Sequence, residues 1–484
     1  MKGVVAAGHP LTAEAGADVL RRGGNAVDAA VCAVLASFAL ESPLTGFGAG
    51  GFMMVDAPGS DPCLIDFFVA VPGAEGIEGR GELVPVDIYF DPAALQVFNV
   101  GPPSCGVPGT AAGLADAVER FATMPLAELA APAAEYAREG APITRQQAFV
   151  LEILEPIYAS TPELREIYAP EGRMLREGES LRWPDLADAL ERFGAEGSEP
   201  FYGGEVGRRV AEYVREHGGT LSAADMAGYG AEVREPAAAR IRGHDVLTNP
   251  PPSSGGILIA YSLDLLDRLG RPGDLRTPGF EAGFLASQRL AGDARRVGDK
   301  LGSTTHLAAI DSEGVCATVT CSNGTGSGVL VPGTGVHVNN MLGEEDLNPH
   351  GFHRMPVGER MPSMMAPTMV LRDGEVVAGL GSAGSNRIRS AILQTVLGLL
   401  DGMPPGEAIA APRVHFESGL LQAEPGADGD ALRRIEATGV EVVRWNHLNL
   451  FFGGVQAVTR DPESGRLDGG GDPRRGGAAA AADA

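Results

Sequence analysis

Residues 302–320 read Gly-Ser-Thr-Thr-His-Leu-Ala-Ala-Ile-Asp-Ser-Glu-Gly-Val-Cys-Ala-Thr-Val-Thr. Two short runs rich in Thr, Ile, Val and Ala, 304–310 and 315–320, flank Asp311-Ser312-Glu313-Gly314, whose residue types favour a turn; the pattern is a β-hairpin. The hairpin puts Thr304 at the first position of a strand, directly after Gly302 and Ser303. A threonine so placed becomes a self-contained catalyst if the bond before it is cut. Its freed α-amine, with an intrinsic pKa of about 8, can act as base for its own hydroxyl. Spacing alone fits equally well a strand that simply begins on two β-branched residues.

Outward from this hairpin the same texture recurs. A second hairpin spans 368–371 and 375–379 around Asp373-Gly374, and the following Gly381-Ser382-Ala383-Gly384-Ser385 opens a helix over about 387–400, with Ile388, Ile392, Val396 and Leu399 on one face. At the other end of the chain, Pro10 starts a helix with Leu11, Ala15, Val19 and Leu20 on one side, stopped by Gly23-Gly24. Asn25 can cap the next helix, 27–40, which is apolar all round and therefore expected to be buried. Glycines 46–51 then lead into a strand at 52–55. A dinucleotide-binding glycine loop follows a strand and opens a helix, so this run, which precedes a strand, predicts no cofactor. Residues 110–294 read as mainly helical, with amphipathic runs at 111–121, 125–138 and 208–217. Helices around antiparallel sheet make an α+β layered architecture. The alanine-rich tail 476–484 is expected to be disordered.

The 484 residues include 38 basic and 63 acidic ones, a net charge of -25, and Lys2 and Lys300 are the only lysines. A chain so acidic lacks the basic face that phosphate backbones require, so nucleic acid is not an expected partner. No signal-peptide pattern opens the sequence, and its longest apolar stretch, 29–40, is too short to span a bilayer; a cytoplasmic protein without membrane attachment is expected. The five cysteines form no C-x-x-C pair, and disulfides are not expected. No G-x-S-x-G elbow occurs. His350 and His353 sit in an irregular loop that would not fix both rings on a metal, so none is expected.

A set of motifs runs in order along about 4–476: His9-Pro10-Leu11, Ala13-Glu14-Ala15-Gly16, Gly23 to Ala30, the glycines to Gly51, Gly106-Val107-Pro108-Gly109-Thr110, Pro250 to Gly256, Thr304-Thr305-His306, Asn339-Asn340, Ala366-Pro367-Thr368 and Asp472-Pro473-Arg474-Arg475. Together they resemble the γ-glutamyltransferase (γ-glutamyltranspeptidase) family of N-terminal-nucleophile hydrolases. The resemblance implies an α+β fold built as a four-layer αββα sandwich. It also implies self-cleavage between Ser303 and Thr304, giving a large subunit 1–303 and a small subunit 304–484 that stay together, with higher assembly possible. Thr304 is then the nucleophile that forms an acyl-enzyme from a small amide or peptide, with transfer to water or an amine; glutathione is the family's default donor. Gly384 and Ser385 match the oxyanion hole, Ser385 standing where the family has a second glycine, and Ser322 matches the hydroxyl residue, usually Thr, that orients the nucleophile.

The positions matching the family's substrate pocket depart from it in one direction. Phe68 follows Asp66-Phe67 where an arginine normally clamps the α-carboxylate. Met364 follows Ser363 where the family has a serine pair, and Met341 and Glu344 match the glutamine and aspartate that hold the α-amine; Asn323 matches the amine-binding asparagine. Loss of one charged hydrogen-bond partner costs about 1.5–3 kcal/mol, so Phe68, Met341 and Met364 together argue for a different, less polar acyl group. Ordinary repacking is the plainer alternative for each. A third reading, an uncleaved binding protein, is disfavoured by the joint retention of 302–306 and 384–385.

Overall fold

The computed structural model describes residues 1–91, 94–268, 304–417 and 419–483. Ser303, and with it the expected scissile bond, lies outside the described residues, and Thr304 is the first residue described after it.

In chain order the strands of the two large sheets are β1 (Gly3–Ala7), β2 (Gly50–Asp56), β3 (Cys63–Phe67), β4 (Glu232–Arg234), β5 (Ala237–Ile241), β6 (His244–Thr248), β7 (Thr305–Asp311), β8 (Cys316–Ser322), β9 (Thr368–Arg372), β10 (Glu375–Ala383), β11 (Gly454–Arg460), β12 (Leu467–Gly471) and β13 (Ala478–Ala482). The first sheet has the order β13-β1-β7-β8-β2-β3-β4 and the second β12-β11-β10-β9-β6-β5. Every pairing in both is antiparallel.

The sheets pack on each other, β7 against β10 and β11, and β1 against β11 and β12. Alternation along the strands shows how both faces are used. In β1, Val4 and Ala6 join an apolar cluster with Leu380 and Ala457 of the second sheet, whereas Val5 and Ala7 join a cluster built on the N-terminal helices. In β2, Phe52 and Met54 face the former, Met53 and Val55 the latter. Strands covered on both faces lose the polar-apolar alternation of a solvated sheet and read as continuous apolar runs.

The helices that matter here are α1 (Pro10–Arg21), α2 (Ala26–Leu40), α3 (Thr110–Phe121), α4 (Leu126–Glu139), α5 (Arg145–Ile153), α6 (Glu205–Glu216), α7 (Ser254–Arg268) and α8 (Ile388–Leu400). Asn25 starts α2 by accepting from the amides of Val27 and Asp28, while Asp28 accepts from the Asn25 amide, a capping box. The whole of α2 is buried, under α1, α4 and the outer face of β7 and β8. On the second sheet, α8 packs on β10 and α7 on β5. Among the described residues no helix is long and apolar enough to cross a membrane.

The expectation of a disordered tail is corrected. Residues Ala478–Ala482 form β13, paired with all of β1 from Gly3↔Ala482 to Ala7↔Ala478. Composition misled because sheet pairing is made by backbone groups that no side-chain pattern advertises, and short alanines fit where α1 lies against β13. Within the glycine run, Gly48, Gly50 and Gly51 are close-packed: a Cβ on Gly48 would lie 2.0 Å from the His337 carbonyl oxygen.

Candidate active site

Thr304 stands at the open end of β7, next to Ser322 at the end of β8, and both side chains are buried. The antiparallel register Thr305↔Cys321 sets the two hydroxyl residues side by side. Thr304 Oγ1 donates to Ser322 Oγ at 3.2 Å, and Ser322 Oγ also accepts from the Gly324 amide at 3.0 Å. Ser322 Oγ thus accepts from both the backbone amide and the threonine hydroxyl, one on each lone pair.

Successive residues then point to opposite faces. Thr305 Oγ1 donates to Glu41 Oε2 at 2.6 Å, and Thr12 Oγ1 donates to Glu41 Oε1 at 3.0 Å. Burial holds the Glu41 carboxyl above its ordinary pKa, opposed by these two hydroxyl donors and by the charge of Arg475. His306 faces the second sheet, where a Cβ on Gly381 would meet its ring at 2.3 Å. Its Nδ1 is 2.8 Å from Thr320 Oγ1 and its Nε2 3.0 Å from Thr318 Oγ1; burial pulls its pKa down to about 3, so it is neutral. Sequence reasoning did not single out Glu41, although an acid closing an otherwise apolar helix was a signal for it.

At the end of β10 the chain turns through Gly384, φ 124°, and Ser385, φ 49°. The left-handed φ shows that serine adopts the conformation that the family's glycine would take freely. Ser385 Oγ donates to Asp346, an acceptor not expected from sequence. A short 3₁₀ turn, Ser385–Arg387, then feeds α8.

The other expected residues fall in three places. Phe68 and Met341 are 1% and 2% exposed and share the apolar cluster between the sheets, with Met364 packed against it and the Phe68 ring stacked on Phe52 at 5.4 Å. Asn323 donates from Nδ2 to the His337 carbonyl at 3.1 Å, and Glu344 lies beside Gly324, so these two meet on the turn after β8. Ser363 is turned elsewhere: its carbonyl accepts from the Ser254 amide at 2.8 Å and from Ser253 Oγ at 2.9 Å, and its hydroxyl accepts from the Met365 amide. It closes the loop onto the Pro250–Gly256 motif.

The motif asparagines are architectural. Asn339 Nδ2 donates to the carbonyls of Gly48 and Gly106, and its Oδ1 accepts from the amides of Gly106 and Met341. In Asp472-Pro473-Arg474-Arg475, Asp472 pairs with Arg413 at 2.7 Å and Arg474 at 3.2 Å, while Arg474 also pairs with Glu424. Burial alone would raise the Asp472 pKa, but Arg413 and Arg474 hold it below its ordinary value.

Two stacked antiparallel sheets, with a hydroxyl residue opening a strand at their junction, define the N-terminal-nucleophile class of hydrolase. Within that class the chain belongs to the gamma-glutamyltranspeptidase family, whose model matches residues 12–299 and 286–482. It is 31% identical to the acylase ACY 1 proenzyme of Pseudomonas sp. (strain SE83), across 96% of this chain and 90% of that one. It is 29% identical to the glutathione hydrolase proenzyme of Bacillus subtilis (strain 168), across 99% and 91%. Among solved structures, a cephalosporin acylase from Bacillus halodurans superposes with a TM-score of 0.86 at 25% identity, covering 100% of this chain and 96% of that chain.

Proposed function

We propose that this protein is a self-cleaving amide hydrolase or acyltransferase of the γ-glutamyltransferase type, with Thr304 as nucleophile. One observation carries the reading: the Thr304 hydroxyl, at the start of β7, is oriented by Ser322. In the precursor, Thr304 Oγ1 attacks the Ser303 carbonyl carbon. The acyl group moves from nitrogen to oxygen, water hydrolyses that ester, and the α-amine of Thr304 is freed. In the mature enzyme this amine takes the hydroxyl proton as Oγ1 attacks the substrate amide, and delivers it to the departing amine. Amides of Gly384 and Ser385 stabilise the tetrahedral oxyanion, each contributing about 3 kcal/mol. Water or an acceptor amine then releases the acyl group.

The same reading takes the fold as a four-layer αββα sandwich and divides it into subunits 1–303 and 304–484. Strand β1 of the larger piece pairs on one side with β7 and on the other with β13, both from the smaller piece, which explains how the two stay together after cleavage. The donor in this reading is a γ-glutamyl amide. A second reading, an acylase for a less polar acyl group, rests on Phe68, Met341 and Met364 standing where the family resemblance leads one to expect polar residues.

On a denaturing gel the purified protein runs as two fragments whose smaller one begins at Thr304, and Thr304→Ala runs as one; a single band at 50.0 kDa for the wild type overturns the proposal. A γ-glutamyl anilide and an aliphatic acyl anilide, compared by kcat/KM, separate the two donors. Preference for the aliphatic anilide, reversed by Phe68→Arg, establishes the second reading; preference for the γ-glutamyl anilide removes it.

A further inference from the structure

A cavity beside Thr304 is lined by His9, Glu41, Ala383, Gln456 and Arg475 among others. It is distinct from the expected acyl pocket by its place in the sheet. Strand β7 has β8 on one side and β1 on the other. Ser322 and Asn323 lie at the end of β8, and Phe68 follows β3, so the acyl residues fall on the β8 side. His9 follows β1, Arg475 ends the turn that joins β12, which packs on β1, to β13, which pairs with β1, and Gln456 lies on β11, which packs on both β1 and β7.

Among the described residues one nitrogen of each of two groups of this cavity, Arg475 and His9, has no hydrogen-bond partner. Arg475 ends the Asp472-Pro473-Arg474-Arg475 motif, but only Arg474 joins the buried ion network. Among the described residues Arg475 forms no ion pair; its Nη2 donates to the Leu450 carbonyl at 3.4 Å, and its buried Nε has no hydrogen-bond partner. His9 is buried, and its Nδ1 accepts from the Leu11 amide at 3.1 Å to cap α1. Burial lowers its pKa to about 4, so the ring is neutral and Nε2 carries the proton; among the described residues that N–H has no partner either. Glu41 is the acid of the cavity, and both its oxygens already accept hydroxyl hydrogens. A half-buried guanidinium with no carboxylate in ion-pair contact, beside an unused N–H, is a half-made anion site.

We propose that this cavity binds the carboxylate of the amine partner of the reaction, through Arg475 and His9 Nε2. The partner class is an amine that also carries a carboxylate, held on the side of Thr304 away from the acyl group. It arises in two ways. As leaving group, its C–N bond to the acyl carbon breaks while nitrogen takes the proton from the Thr304 α-amine. As acceptor, its nitrogen attacks the acyl-enzyme carbon and loses a proton to the Thr304 α-amine, the bond to Thr304 Oγ1 breaks, and the α-amine passes that proton to Oγ1. The inference rests on Thr304 as nucleophile for the sidedness, but not for the anion site itself.

The probe pair is 3-aminobenzoate and its neutral analogue 3-aminobenzamide, titrated calorimetrically into the full chain. Wild type is expected to bind the carboxylate at least about tenfold more tightly. Arg475→Gln loses this preference, and Arg475→Lys keeps part of it. His9→Asn retains an oxygen to cap α1 but lacks the distal donor, and it too weakens the preference; it is the working variant if Arg475→Gln fails to fold. Equal binding of both probes by wild type, or a preference untouched by either variant, overturns the proposal. With acyl anilides of the two amines, a lower KM for the carboxylate form identifies the leaving group, and formation of acyl-aminobenzoate identifies the acceptor. Neither effect, in an active enzyme, overturns the placement on the amine side. A binding preference in a chain that neither cleaves nor turns over amides supports the anion site while refuting Thr304 as nucleophile.

Discussion

Ser385 offers a sharp quantitative test, because a residue with a Cβ sits at φ 49° in the proposed oxyanion turn. Left-handed backbone costs an L residue roughly 1–2 kcal/mol. Against this, Ser385 Oγ donates to the Asp346 carboxylate, a charged hydrogen bond worth about 1.5 kcal/mol at a half-buried position. Ser385→Ala keeps the backbone cost and loses the hydrogen bond, so it is expected to lose about 1.5 kcal/mol. Ser385→Gly loses the same bond but relieves the backbone, and gives back about 0.4–1 kcal/mol as added freedom of the unfolded chain. The net loss for Gly is about 0.5–1 kcal/mol, so Gly is the more stable of the two by about 1 kcal/mol. Urea unfolding followed by circular dichroism, in a Thr304→Ala background so that a single polypeptide unfolds, measures the difference. A glycine variant no more stable than the alanine variant refutes the strain. Both substitutions keep the amide at 385, so in the Thr304 enzyme kcat is expected to change less than about threefold. A fall of about 100-fold in Ser385→Ala would make the hydroxyl, rather than the amide, the working group.

Two further outcomes follow from buried charge. The His306 pKa falls from 6.5 to about 3 on folding, so its stabilising contribution is whole above pH 6.5 and is lost as the pH drops toward about 3. At pH 5 the loss is about 2 kcal/mol, and in His306→Gln the pH 7 to pH 5 decline in unfolding free energy should shrink by that amount; an unchanged decline contradicts a neutral buried ring. Asp472→Ala strands Arg413 and Arg474 without their shared carboxylate and is expected to cost about 3–5 kcal/mol by denaturant titration. A cost below about 1 kcal/mol would mean that Glu424 alone satisfies Arg474.

Local signals were read directly from the chain. Asn25 with Asp28 starts α2, Asp311 to Gly314 turns β7 into β8, and Asp373-Gly374 turns β9 into β10, each within a few residues of the feature it specifies. The place of Thr304 at a strand start was legible in the same way, whereas Ser322, Gly384 and Ser385 were picked out by the resemblance of their motifs to the family. Pairing between distant segments left no such mark. The alanine tail was taken for a loose end, yet it closes the edge of β1 through backbone hydrogen bonds alone. Glu41 and Thr305 are 264 residues apart, and nothing in either neighbourhood announces the other.

The sequence by itself determined the family, the antiparallel strands and a threonine poised at a strand start, since these rest on residue types at short spacing. Tertiary structure alone decided which side of Thr304 each group occupies. It put Phe68 and Met341 into one apolar cluster and left the Arg475 Nε without a hydrogen-bond partner among the described residues, because burial and partnership belong to packed neighbours and not to positions along a chain.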